Sequence, residues 1–163
     1  MEKGYVKIFE VNENDAPFLC KLMNDKNILN ALNEVSTQVS DWIEAISAWN
    51  CDNDEEDYII FDEETPIGWL GVNGLLCEDK KVYIKMIVLL PEYQNKGIGS
   101  YVITQLVRNL KSRKFKAIIL YANQNNLRAQ KCYAKCGFEV TKELIQKMSN
   151  GDMVWRCKME MVL

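Results

Sequence analysis

From residue 94 to residue 100 the chain reads Gln94-Asn95-Lys96-Gly97-Ile98-Gly99-Ser100. Glycine carries no Cβ, so a backbone holding two of them can come close to a ligand. If a helix follows, the N–H groups of the turn point outward at its N-terminus. Free donors and the positive end of the helix dipole hold phosphate at such a place. Lys96 adds a mobile charge beside it. A plain tight turn into a helix would use the same residues. Two other phosphate motifs do not fit. The spacing G-x-x-x-x-G-K-[ST] is absent. The pattern G-x-G-x-x-G fails because Val102 stands where the third glycine belongs.

Other chemistry is excluded by composition. The 163 residues contain no histidine, which removes Ser–His triads, Cys–His pairs and histidine zinc sites. Cysteines stand at 20, 51, 77, 132, 136 and 157, with no C-x-x-C pair. Free thiols are the expectation, because disulfides are uncommon in reducing compartments. Cys132 and Cys136, four apart on an expected helix, read as packing or surface thiols. No metal site is expected. Lys plus Arg is 20 and Asp plus Glu is 23, a net charge of −3. Nucleic-acid-binding domains usually carry a basic excess, so none is expected here.

At roughly 150 residues per domain, the chain reads as one domain over 1–163. A chain of this size buries about two-thirds of its unfolded surface and needs no covalent staples. Its charged fraction, 26%, is that of an ordinary globular protein. Residues Met1 to Val6 show no apolar leader, and apolar runs such as Met86 to Leu90 are far below the ~20 residues that span a bilayer. The expectation is a soluble, cytoplasmic protein with no membrane partner.

The elements that must position the glycine turn follow from periodicity. Val6 to Val11 alternates and reads as a strand. Asn14 or Asp15 suits the cap of a helix to about Met23, with Pro17 in its first turn. Ile28 to Leu32 and Ser40 to Trp49 read as helices. In the second, Ser40 or Asp41 caps, and Trp42, Ile43, Ile46 and Trp49 share a face. Tyr58 to Phe61 and Ile67 to Leu75 read as a hairpin turning at Asp62 to Pro66. Val82 to Leu90, apolar on both faces near its end, reads as a central buried strand. A helix from Ile98 to Lys111 and a strand from Ala117 to Tyr121 complete a βαβ unit with a parallel pair. Asn126 to Cys136 reads as a helix stopped by Gly137. Phe138 to Thr141 is a short strand. Met153 to Met161 alternates, with Trp155, Cys157 and Met159 one way and Arg156, Lys158 and Glu160 the other. That last strand reads as antiparallel, either an exposed edge open to a second copy or covered within the monomer. The expected class is α/β, with a mixed antiparallel and parallel sheet flanked by helices.

Gln94-x-x-Gly97-x-Gly99, after a strand ending Val88-Leu89-Leu90-Pro91-Glu92-Tyr93, resembles the acetyl-coenzyme A motif of the GCN5-related N-acetyltransferases (GNAT). A second block, Asn126-x-x-Ala129-x-x-x-Tyr133-x-x-x-Gly137-Phe138, is similar to that family's second cofactor block. One helix and one strand separate the two, as in the family. The resemblance covers Val82 to Phe138, about a third of the chain.

The resemblance implies direct transfer of an acetyl group from acetyl-coenzyme A to a primary amine, on the GNAT fold. The acceptor would be a small molecule such as a polyamine or aminoglycoside, or a protein N-terminus. The turn Gln94, Asn95, Lys96, Gly97, Ile98, Gly99 and Ser100 would take the pyrophosphate. Ile87, Val88 and Leu89 would present strand backbone to the arm of the cofactor, where the two parallel strands splay. Tyr133 matches the family's general acid; its phenol is a donor at neutral pH, with a reference pKa near ~10. A tyrosine packed on a helix face would look the same. Asn126 matches a contact to the cofactor arm, and a helix cap is the other reading.

The general base is where this sequence departs from the family. Some members carry Glu eleven residues before the glutamine; here that residue is Tyr83, a poor base unless its pKa falls. A held water would serve, as would Glu63 or Glu64, although both suit ordinary turn residues. Lys85 on the same strand either repels a cationic substrate or snorkels to the sheet edge. The acidic run Asp52, Asp54, Glu55, Glu56 and Asp57 suits attraction of an amine or a solvated loop. Trp42 and Trp49 would border the acceptor cleft. Besides the enzyme, two readings stand: a module that holds acyl-coenzyme A without transfer, and a structural domain that binds nothing. Monomer and homodimer are both compatible with the sequence.

Overall fold

The computed structural model describes residues 5–163. One seven-stranded sheet runs through them: β1 (Val6–Glu10), β2 (Glu55–Asp62), β3 (Thr65–Asn73), β4 (Lys81–Leu89), β5 (Ala117–Asn123), β6 (Glu139–Lys147) and β7 (Met153–Val162). Their order across the sheet is β1-β2-β3-β4-β5-β7-β6. Every neighbouring pair is antiparallel except β4 with β5. Five helices join them: α1 (Ala16–Met23), α2 (Lys26–Leu32), α3 (Val39–Asn50), α4 (Ile98–Ser112) and α5 (Leu127–Cys136). No helix is long and apolar enough to cross a membrane among the described residues.

Successive strand residues face opposite ways, and the core divides accordingly. Ile60, Leu70, Val82, Ile84 and Leu89 face α4, which inserts Ile98, Val102, Ile103, Leu106 and Leu110. Ile59, Trp69 and Val88 face α1, α2 and α3, which supply Leu19, Leu22, Ile28, Trp42 and Ile46. The helix α4 owes its fit to apolar residues at helical spacing, so one stripe meets the sheet. Gly137, at φ +110°, ends α5 as expected and turns the chain inward to the buried Phe138.

Several expectations need correction. Asp15 stands at the N-cap of α1 as expected but makes no capping bond to it; the turn before it is capped by Asn12, whose side chain accepts from the Asn14 N–H, and α3 starts from a Gln38–Asp41 capping box. Ile43 is 49% exposed and does not join Trp42 and Ile46. The last strand is no edge: β7 lies between β5 and β6, and β6 is the edge. β6 reaches Lys147, well beyond the short strand foreseen, because its side chains are exposed along nearly its whole length and carry no burial pattern to read. Trp155 is exposed, because β5 ends at Asn123 opposite Arg156 and offers nothing to cover it. The acidic run is not a loop throughout. Glu55, Glu56 and Asp57 belong to β2, and Asp57 is buried. Lys85 does not reach the sheet edge; its ammonium pairs with Glu55 and Asp57.

Candidate active site

The parallel pair is short. Lys81, Val82 and Tyr83 register with Ala117, Ile118 and Ile119, and there the pairing stops. β4 continues along β3 to Leu89, while β5 continues along β7 to Asn123. A bulge at Lys85 marks the parting, since Ile84 faces Val72 but Met86 faces Gly71. A bulge bends its strand and increases the local twist, which turns β4 away from β5. Beyond Tyr83 one edge of β4 therefore has no strand partner.

A cleft of about 750 Å³ opens where the strands part. Ile87, Val88 and Leu89 line it from β4; Gln94, Asn95, Gly97, Gly99 and Ser100 from the turn into α4; Asn126 and Tyr133 from α5. Gly97 takes φ +79° at the N-cap of α4, a left-handed conformation that costs a side-chain-bearing residue strain. The first N–H groups of α4 have no partner within the helix, so they are free donors for an anion. A Cβ on Gly99 would meet no atom within 4 Å. The turn is thus a cradle that a side chain at 99 would begin to fill.

Gln94 ties this turn to both walls. Its Nε2 donates to the Leu89 carbonyl at 2.9 Å, and its Oε1 accepts from Arg128 of α5. Ser100 Oγ and Cys132 Sγ, 3.4 Å apart, join α4 to α5. Asn126 Oδ1 accepts from the Ala129 N–H at 3.2 Å, so the residue caps α5 while lining the cleft.

Tyr133 is half-buried on α5, its ring edge-on to Phe138 with centroids 6.0 Å apart. Burial pushes its phenol up to about 12; Cys132 and Cys136 push the same way, and Arg128 and Arg156 oppose them. Desolvation disfavours the charged phenolate, so the group keeps its proton at neutral pH. Such a group can donate a proton to a leaving anion and cannot serve as a base.

Three expected residues lie elsewhere. Lys96 is exposed, its ammonium 5.6 Å from the Tyr93 ring, and is not part of the lining. The Ile98 side chain is buried in the core, which leaves only its backbone for the cleft. Tyr83 sits below the parting, paired with Asn73 and Ile119 and close to Gly74.

Other lining residues were not foreseen. Arg128, Lys131 and Lys135 put positive charge along α5, and Asn27, Ile28, Ala31 and Leu32 of α2 close the far side. The cations were legible as i, i+3 and i+4 neighbours on α5; the contribution of α2 was not, because it rests on packing across the sheet. A second, smaller pocket of about 330 Å³ adjoins the cleft and shares Ala31, Asn126 and Arg128 with it.

Known proteins give the same picture. The family model described as the Acetyltransferase (GNAT) family matches residues 22–138. No curated protein matches the chain. Among solved structures, a spermidine N-acetyltransferase from Vibrio cholerae in complex with CoA and spermine superposes with a TM-score of 0.87 at 20% identity, over 98% of this chain and 96% of that one. The dodecameric structure of spermidine N-acetyltransferase from the same organism, in an intermediate state, gives 0.83 at 19% identity over 98% and 95%. The family match spans most of the chain and both motif blocks, and the strands part where an acyl-coenzyme A arm needs room. This chain belongs to the GNAT family of acetyltransferases, and its activity is N-acetyl transfer from acetyl-coenzyme A.

Proposed function

We propose that this protein acetylates the primary amine of a polyamine-like small molecule, in the cytoplasm, through a single domain spanning 1–163. The observation that carries the reading is the one cleft lined by the free β4 edge, the N-terminus of α4 and Tyr133. The similarity in fold to spermidine N-acetyltransferases makes spermidine and spermine the first acceptors to try.

Acetyl-coenzyme A supplies an activated thioester. Backbone N–H groups of Gly97 to Ser100 hold its pyrophosphate, with Arg128 and Lys96 adding positive charge nearby. The backbone of Ile87, Val88 and Leu89 aligns its amide arm as an added strand would. Asn126 keeps α5, and so Tyr133, in position. The amine nitrogen forms a bond to the acetyl carbon as the carbon–sulfur bond breaks. Sulfur keeps that electron pair and takes the Tyr133 proton, the amine gives its surplus proton to water, and Tyr133 regains a proton from the solvent. Alignment of the two reactants supplies much of the rate. Tyr83 lies away from the cleft, so it is not the base in this reading; Glu63 and Glu64, in the β2–β3 turn, are not among the lining either.

Calorimetric titration with acetyl-coenzyme A, followed by thiol release with spermidine, spermine, an aminoglycoside and a short peptide, tests this. Micromolar binding with amine-dependent thiol release is expected. Binding without release across the amines would support a holding module instead. Light scattering on the same sample distinguishes the monomer or homodimer we favour from a larger assembly, such as the dodecamer of the Vibrio cholerae protein.

A further inference from the structure

The smaller pocket beside the cleft is walled by side-chain amides. Asn30, Asn33, Asn123, Asn125 and Asn126 line it, with Arg128 at the side shared with the cleft. Among the described residues, no carboxylate lines it. Asn123, the last residue of β5, is only 7% exposed. Its Nδ2 donates to the Ala31 carbonyl at 3.1 Å and to Asn33 Oδ1 at 2.9 Å. A backbone carbonyl can only accept, so the amide nitrogen must face Ala31 and the orientation of the side chain is settled. That leaves Oδ1 with no donor among the described residues, yet not sealed away from the pocket. An oxygen held rigidly and left open marks a place for a ligand N–H, because buried polar groups otherwise find partners.

We propose that Asn123 Oδ1 accepts a hydrogen bond from the attacking amine, and that this amide-walled pocket lets the amine shed its proton without a carboxylate base. The inference rests on the acetyl-transfer reading above. The physical argument concerns charge. An ammonium beside a carboxylate is stabilised and holds its proton; beside cations and neutral amides, and partly desolvated, it releases the proton more readily. The charged and titratable groups around the pocket fit that sign. Arg128 of α5 lines the pocket, Tyr133 of α5 lines the adjoining cleft, and Tyr121 precedes Asn123 by two residues on β5. From β7 comes Arg156, whose guanidinium lies 5.8 Å from the Tyr121 ring. The carboxylates nearby lie outside the lining. Asp152, in the turn before β7, accepts from Asn33 and Asn150. The charge of Glu34, after α2, favours the protonated Arg156 guanidinium. Asn123 therefore holds the amine in line without adding the negative charge of a carboxylate, Arg128 disfavours the ammonium, and the proton leaves to water.

The test is the pH dependence of kcat for thiol release, at saturating acetyl-coenzyme A and amine, because kcat reports the pKa of the amine in the bound complex. In the wild type, the acid limb should lie about one unit or more below the pKa of the free amine. Asn123→Asp puts a carboxylate at the same point and should raise that limb by about one unit, or tenfold in rate below it, with acetyl-coenzyme A affinity unchanged. Trifluoroethylamine, a much weaker base, should be insensitive to the substitution. A wild-type limb at the pKa of the free amine would overturn the proposal with no variant needed. A limb unmoved by Asn123→Asp in a protein that still binds acetyl-coenzyme A would overturn it too. Thiol release with the limb in the wrong place sinks this inference alone. No thiol release with any amine sinks both it and the acetyl-transfer reading.

Discussion

The ammonium of Lys85 lies 2.9 Å from the Asp57 carboxylate, across a gap kept open by Gly71, where a Cβ would come within 2.5 Å of the lysine chain and 2.6 Å of the carboxylate. The same ammonium bonds to Glu55 and sits 4.2 Å from the centre of the Trp49 ring. Trp69 stacks on Trp49 and donates its Nε1–H to Asp57 at 2.9 Å. This cluster fastens α3 to the sheet on the face opposite α4, and it accounts for a lysine on a central strand.

Loss of the lysine should expose how that cluster balances. Burial pushes the Asp57 carboxyl up, while Lys85 and the Trp69 N–H pull it down. A carboxyl raised on folding binds a proton more tightly in the folded state, so stability falls as pH rises through its folded pKa. In Lys85→Met the lysine's pull is gone and Asp57 rises further. We expect a loss of about 3–5 kcal/mol at neutral pH, typical of a buried pair with one partner removed, and partial recovery on acidification. Urea midpoints at pH 4.5 and pH 8, referred to the wild type, check this; equal losses at both would contradict it.

Tyr133→Phe separates chemistry from packing. Removing a general acid should lower kcat by about 10²–10⁴, while the ring still packs on Phe138 and the acetyl-coenzyme A dissociation constant stays within about twofold. With the wild-type phenol pushed up to about 12, its ionisation should produce no alkaline fall in kcat up to pH 10. Unchanged turnover in the variant would remove Tyr133 from the reaction.

The two glycines of the turn should behave differently. Gly97→Ala forces a side chain into the left-handed region and should cost about 1–2 kcal/mol of stability, with weaker cofactor binding as well. Gly99→Ala meets open space and should keep or slightly raise stability, since alanine is the better helix former, while weakening acetyl-coenzyme A. Thermal melts beside calorimetric titrations read both quantities. A Gly99→Ala protein that binds the cofactor normally would place the pyrophosphate elsewhere.

Arg128 is exposed and held by Gln94 at the mouth of both pockets. Arg128→Gln should weaken acetyl-coenzyme A by about tenfold at low salt, and the difference from the wild type should narrow as salt screens the charge. Titrations at two ionic strengths measure it. A deficit independent of salt would assign Arg128 a packing role.

The features legible in the order of residues are local. Gly97 and Gly137 declare left-handed turns because φ is a property of one residue. The stripe of α4 and the apolar run of β4 declare a helix and a buried strand because their periods lie within a few residues. Those signals, with Asn126 and Tyr133 at their spacing, point to residues that line one cleft. Tertiary structure alone decided the rest. β6 carries exposed side chains and was half missed, because an edge strand is defined by its partner β7. The fate of Lys85 depended on Asp57, 28 residues away on a strand two places across the sheet. The open oxygen of Asn123 exists only because its amide nitrogen is held by Ala31, 92 residues earlier. Pairings of that reach depend on how the layers meet, and no local pattern of residue types encodes them.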